Sequence, residues 1–112
     1  MAQIATQTAL DELLEQIVQY IVRALDPEQI ILFGSYAAGR ATADSDLDLL
    51  AVTEHPMTHV ERQERLSGLS RGLPLPVQVI TISRQEYEET RGVIGGIAYP
   101  ATKYGRILYE KA

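Results

Sequence analysis

Apolar positions recur every three to four residues along the first part of the chain, with charged and amide side chains between them. The apolar stripe comprises Leu10, Leu13, Leu14, Ile17, Ile21, Ala24 and Leu25. This spacing is typical of a helix that buries one face, so we expect an amphipathic helix over residues 7–25. Asp26-Pro27 should end it, because proline cannot continue the hydrogen-bonded ladder of a helix.

Short segments rich in apolar residues follow, and they predict strands over residues 30–33, 46–52 and 77–82, while residues 106–109 are expected to add a strand at the sheet edge. Residues 30–33 form a continuous apolar run, which fits a strand that is covered on both faces.

Capping and turn signals between the strands predict the remaining helices. Thr58 and Glu61, and again Ser83 and Glu86, have the spacing of a capping box, and Gly39, Gly72 and Gly105 are candidate stops. The helices expected after the first one span residues 36–38, 59–71, 84–91 and 97–104. The order of elements predicts an α/β fold with a small mixed β-sheet of three to four strands flanked by helices.

Length, charge and cysteine content narrow the class of protein. The 112 residues suffice for one domain with a single core, and no apolar run approaches the roughly 18 residues of a membrane span. The net charge of −5 argues against direct binding of nucleic acid and favours a basic protein partner. The chain has no cysteine, which is compatible with the reducing cytoplasm, and we expect a cytoplasmic protein.

The turn Gly34-Ser35 directly follows the first predicted strand. Glycine has no Cβ, so an anion such as a phosphate can approach the amides that follow it, and Ser35 adds a hydroxyl donor. A Gly-Ser turn is also common after strands that bind no ligand. Whether this turn binds phosphate therefore depends on the residues that lie opposite it.

Asp46 and Asp48 stand two positions apart at the start of the second predicted strand. Residues i and i+2 of a strand share a face, so both carboxylates should project together while Leu47 and Leu49 point into the core. Neighbouring like charges repel, and a cation relieves this repulsion. Carboxylate oxygens select hard cations, with Mg²⁺ the first choice and Mn²⁺ the second. The turn and the two aspartates together predict a site for a nucleoside triphosphate.

The order of Gly34-Ser35, ten intervening residues and Asp46-Leu47-Asp48 resembles the signature of the nucleotidyltransferases related to DNA polymerase β. The ending, residues 97–110, is similar to the tail of the minimal nucleotidyltransferases. The resemblance implies the polymerase β-like fold, in one minimal nucleotidyltransferase domain over residues 1–112. Many minimal members are antitoxins that bind a HEPN-type ribonuclease toxin and transfer AMP from ATP to a tyrosine of that toxin.

The resemblance also implies roles for individual residues. Gly34 and Ser35 would hold the β- and γ-phosphates of ATP, with the amide of Tyr36 assisting. Asp46 and Asp48 would be the catalytic carboxylates and would ligate one or two Mg²⁺ ions. Arg40, in the loop between the turn and the aspartates, would neutralise phosphate charge, although a plain surface arginine is an open alternative.

The third predicted strand departs from the pattern of the family. That strand normally carries a third carboxylate, which helps to bind metal and can act as the base, but Gln78 stands at the corresponding position. An amide has no negative charge and cannot accept the proton near neutral pH. Two functions therefore stay open: a protein adenylyltransferase, or a catalytically weakened or inactive antitoxin that neutralises its toxin by binding.

Overall fold

The computed structural model describes residues 7–112, and the predicted order of helices and strands is present in them. The elements are α1 (Gln7–Leu25), β1 (Gln29–Phe33), α2 (Gly34–Ala37), β2 (Leu47–Thr53), α3 (His59–Arg65), β3 (Val77–Ser83), α4 (Arg84–Thr90), α5 (Ala98–Tyr104) and β4 (Arg106–Glu110). Among these residues, no helix combines the length and the apolar character needed to cross a membrane.

The four strands form one mixed sheet in the order β3-β2-β1-β4. β1 pairs antiparallel with both β2 and β4, whereas β2 and β3 run parallel. β2 and β3 can run parallel because α3 and the turns after it return the chain to the end of the sheet at which β2 begins. The predicted α/β fold with a mixed sheet of three to four strands is confirmed, including β4 at the edge.

Helices cover both faces of the sheet, which explains the continuous apolar runs of the central strands. On one face α1 buries Ile17 and Ile21 against side chains of β1 and β2, including Leu49. On the other face, residues of α4 and α5 pack against Leu50 and Val52 of β2. Successive side chains of a strand point to opposite faces, so β1, β2 and β3 contribute to both clusters.

The third helix is shorter than the predicted span of residues 59–71. The capping box at its start is complete, with Thr58 accepting the Glu61 N–H and Glu61 accepting the Thr58 N–H. The helix nevertheless ends at Arg65, and turns follow up to Gly72. The Gly68 N–H donates to the Tyr20 hydroxyl of α1 at 3.0 Å, which takes it away from a helical partner. A contact distant in sequence therefore fixes one of the turns that follow α3.

The short helix after β1 starts earlier than the predicted residues 36–38. It begins at Gly34 itself, whose φ of +76° lets the chain turn directly from the strand, and the Ala38 N–H donates to the Gly34 carbonyl at 3.1 Å. Few residues other than glycine adopt such a φ without strain. The absence of a side chain at position 34 thus makes the strand-to-helix turn tight.

Candidate functional site

Gly34 and Asp48 lie against each other where β1 ends and β2 begins. A Cβ atom at Gly34 would overlap the Asp48 carboxylate oxygen Oδ2 and would come within 3.2 Å of its Cγ. Glycine is therefore required at this position for two reasons. Its φ is positive, and the Asp48 carboxylate lies where a Cβ atom would be. The turn and the second aspartate of the motif form one site.

Asp48 is half-buried on the face of the sheet that α4 and α5 cover. Burial, and then the negative charge of Asp46, raise the pKa of the Asp48 carboxyl above its ordinary value. Asp46 is exposed and directly precedes β2. The two positions flank Leu47, whose side chain is fully buried on the α1 side. The leucine between the two aspartates thus lies in the core, as expected.

A short loop connects α2 to the aspartates and folds back on its own backbone. The Arg40 N–H donates to the Ser35 carbonyl at 2.9 Å, and the preceding Gly39 has a φ of +72°. Further along, the Thr42 N–H donates to Ser45 Oγ at 2.8 Å, while the Ser45 N–H donates to the Thr42 carbonyl at 3.1 Å. These bonds keep Arg40 beside the turn without using its guanidinium.

A cavity of about 620 Å³ opens beside the Gly34-Ser35 turn. One wall comes from the turn and the loop after it, and the other comes from α5. The lining residues are Gly34, Ser35, Ala38, Arg40, Pro100 and Tyr104. The cavity thus has a polar wall, with a hydroxyl and a guanidinium, facing a wall of proline and tyrosine, and its volume suits a small organic ligand.

The structure brings most of the predicted site residues together. Gly34, Ser35 and Arg40 line the cavity, and Asp48 contacts Gly34. Tyr36 differs from them, because its partly buried side chain packs against the core cluster on the α1 side of the sheet. Only its backbone amide therefore remains a candidate for contact with a ligand.

Gln78 lies directly beside Asp48 in the sheet. The register of β2 and β3 pairs Asp48 with Gln78, and Gln78 is exposed. An amide at this position can offer one oxygen to a cation or donate its N–H groups to a carboxylate. The expectation that position 78 stands beside the Asp-x-Asp motif is in accord with the register.

The carboxylates of Asp46 and Asp48 fit a hard divalent cation whose remaining ligands come from a bound substrate. Among residues 7–112, no group of three or more His, Cys, Asp or Glu side chains is placed to hold a metal. Asp46 and Asp48 still supply carboxylate oxygens, and a cation would stabilise the ionised form of Asp48, which burial and then the charge of Asp46 disfavour. Mg²⁺ is commonly held by one or two carboxylates together with the phosphates of its substrate, so these residues fit Mg²⁺.

Sequence reasoning missed Pro100 and Tyr104 as residues of the cavity. Tyr104 is 62% exposed. Positions 100 and 104 are four apart and share a face of the predicted helix, which is a usable signal. The sequence alone does not indicate that this face turns toward Gly34.

Solved structures similar to this one are nucleotidyltransferases and toxin–antitoxin complexes. One is a Sulfolobus solfataricus protein classed as a nucleotidyltransferase, at 22% identity and a TM-score of 0.64, covering 94% of this chain and 84% of that one. A toxin-antitoxin structure with AMP-PNP shares 21% identity with a TM-score of 0.64, over 87% and 73% of the two chains.

A third similar structure is the tri-AMPylated Shewanella oneidensis HEPN toxin in complex with MNT antitoxin, at 18% identity and a TM-score of 0.61. The match covers 91% of this chain and 71% of that one. At these identities the likeness establishes the fold. A comparison with curated proteins found no match.

The family assignment comes from a sequence model. The model of the nucleotidyltransferase domain matches residues 13–96, which include the turn, the two aspartates and Gln78. This protein therefore belongs to the nucleotidyltransferase domain family.

Proposed function

We propose that this protein, as a single minimal nucleotidyltransferase domain over residues 1–112, transfers AMP from Mg–ATP to a tyrosine hydroxyl of a HEPN-type toxin. The observation that carries the proposal is the contact between Gly34 and Asp48, which joins the phosphate-binding turn to the carboxylate pair. Membership of the family supports nucleotidyl transfer as the reaction class. The similar complexes, one with AMP-PNP and one with an AMPylated HEPN toxin, support the nucleotide and the partner.

The residues of the cavity divide the work of binding. The Ser35 hydroxyl donates a hydrogen bond to a phosphate oxygen, and the amides of Ser35 and Tyr36 add donors along the turn. The Arg40 guanidinium offsets phosphate charge from the loop. Asp46 and Asp48 would hold the cation. Without the cation, the two carboxylates would repel the phosphates. When bound, Mg²⁺ neutralises charge that develops on the phosphate oxygens.

The transfer forms one bond and breaks one. The acceptor oxygen bonds to the α-phosphorus while the bond from that phosphorus to the bridging oxygen breaks, and pyrophosphate leaves. Gln78 cannot take the proton of the acceptor. A phenol has a pKa of about 10 and is far more acidic than an alcohol, so it can release its proton to water before the docked toxin closes the cavity. A tyrosine acceptor therefore suits a site without the third carboxylate.

The acceptor lies on a partner in this proposal, and the functional unit is a hetero-oligomer in the cytoplasm. The cavity is open, and the docked toxin would exclude water from it. The net charge of −5 fits a protein partner and not a nucleic-acid strand.

The test is incubation of the purified protein with Mg²⁺, labelled ATP and the HEPN protein of the neighbouring reading frame. We expect a mass gain of one or more AMP groups on the HEPN protein. Asp46→Asn should abolish the gain, because it removes half of the carboxylate pair. Asp44→Asn is the matched control, since Asp44 is an exposed aspartate of the same loop that is not part of the Asp46-Leu47-Asp48 motif. No transfer by the unaltered protein would refute the proposed reaction.

Gln78 favours a second candidate function, neutralisation of the toxin by binding alone. Its register beside Asp48 leaves the site without the base that the family normally has. In that case Asp46→Asn would still protect cells from the toxin, and no AMP would appear on the toxin. The adenylyltransferase instead predicts that Asp46→Asn loses both the modification and the protection.

A further inference from the structure

The aromatic wall of the cavity has no role in phosphate binding or in holding a cation. Tyr104 and Pro100 come from the same face of α5 and lie across the cavity from Ser35 and Arg40. Tyr104 keeps 62% of its surface exposed, although it is a large aromatic residue with an apolar ring. An aromatic ring left open to a cavity that is polar on its other side can bind a planar group by stacking.

The position of Tyr104 is set by a close contact between the end of α5 and β1. A Cβ atom at Gly105 would overlap the Ala101 carbonyl and would lie 2.8 Å from both the Leu32 carbonyl and Ile31 Cγ2. The backbone after Tyr104 is therefore packed directly on β1, two residues before Gly34. Because backbone atoms define this contact, the backbone at the end of α5 is held close to the strand that leads into the Gly34-Ser35 turn.

Lys103 lies over one face of the Tyr104 ring. Its ammonium lies 5.5 Å from the centroid of the Tyr104 ring and 5.6 Å from that of Tyr99, and it donates to the Tyr99 hydroxyl at 3.2 Å. A cation over one face of an aromatic ring is attracted by the ring quadrupole and leaves the opposite face available.

We infer that Tyr104 stacks on the base of the bound nucleotide, with Pro100 completing the apolar end of the cavity. This inference rests on the proposed function, because it takes the cavity to be the nucleotide site. The triphosphate would lie at Gly34, Ser35 and Arg40, and the base at α5, so one ligand would span both walls. Stacking gives affinity for the base that a phosphate chain alone lacks.

The experiment compares two ligands that differ by the nucleoside, namely Mg–ATP and Mg–tripolyphosphate, by calorimetric titration of the whole chain. Tyr104→Ala should weaken ATP binding by about 5- to 150-fold and leave tripolyphosphate binding unchanged. Tyr104→Phe should bind ATP as the unaltered protein does, whereas Tyr104→Leu should behave like Tyr104→Ala. The leucine variant keeps an apolar side chain without a ring, so it tests the stacking role even if the alanine variant does not fold. Ile107→Ala, at an exposed residue of β4 outside the cavity, is the control.

The outcomes separate this inference from the proposed function. If the unaltered protein binds neither ligand, both are wrong. If it binds both ligands and the Tyr104 variants bind ATP normally, the stacking role is overturned and the nucleotide site stands. Equal losses for ATP and tripolyphosphate, or a loss of toxin binding with ATP binding intact, would also overturn stacking, because each assigns Tyr104 another role.

Discussion

Replacing Gly34 with alanine tests the contact on which the site depends. Alanine at a φ of +76° should cost about 1–2 kcal/mol in backbone strain. Its Cβ would also overlap the Asp48 carboxylate. The carboxylate is the free end of a side chain, so it can rotate away at little further cost in stability. The Asp48 oxygen that is proposed to bind the cation would then move by a distance on the order of 1 Å. A displacement of this size can lower activity about 10²-fold.

Gly72→Ala is the matched control for this substitution. Gly72 has a φ of +74°, and no atom lies within 4 Å of a Cβ built there. Both variants should therefore lose a similar free energy of unfolding, measured by urea denaturation. Only Gly34→Ala should lose Mg–ATP binding and AMP transfer by about 10²-fold. If both variants bind and transfer equally well, Asp48 does not act from its place against the turn, and the reasoning fails.

Three further predictions concern Asp48, Gln78 and Gly105. Burial and the Asp46 charge raise the pKa of Asp48 in the folded state, so the ionised carboxylate destabilises the fold at pH 7. Asp48→Asn should therefore raise the Tm at pH 7, and the gain should vanish below about pH 3.9, whereas a lower Tm at pH 7 would contradict this. Gln78→Asp should speed AMP transfer by as much as about 10²- to 10⁴-fold, and an unchanged initial rate would show that position 78 is not the base position. Gly105→Ala should cost about 1–3 kcal/mol in urea denaturation, because its Cβ meets backbone atoms, and an unaltered midpoint would mean that α5 shifts freely.

The ends of the helices show which features of the fold local sequence patterns predict and which they do not. The first helix follows from its own periodicity and ends at the predicted residue, Leu25. The helix expected over residues 59–71 ends at Arg65, and the Gly68 N–H in the turns after it donates to the Tyr20 hydroxyl of α1. Periodicity and capping residues report neighbours within a few positions, and this bond joins residues 48 positions apart.

The same distinction applies to the site. The Gly34-Ser35 turn, the Asp46 and Asp48 pair and the departure at Gln78 were all readable from spacing and from the family signature, since each depends on residue type within one strand or turn. The contact of Asp48 with Gly34, the pairing of Asp48 with Gln78 and the arrival of Tyr104 at the cavity were decided by the tertiary structure. Each of these depends on strand register or on the packing of α5, and such long-range contacts leave no short periodic signal in the chain.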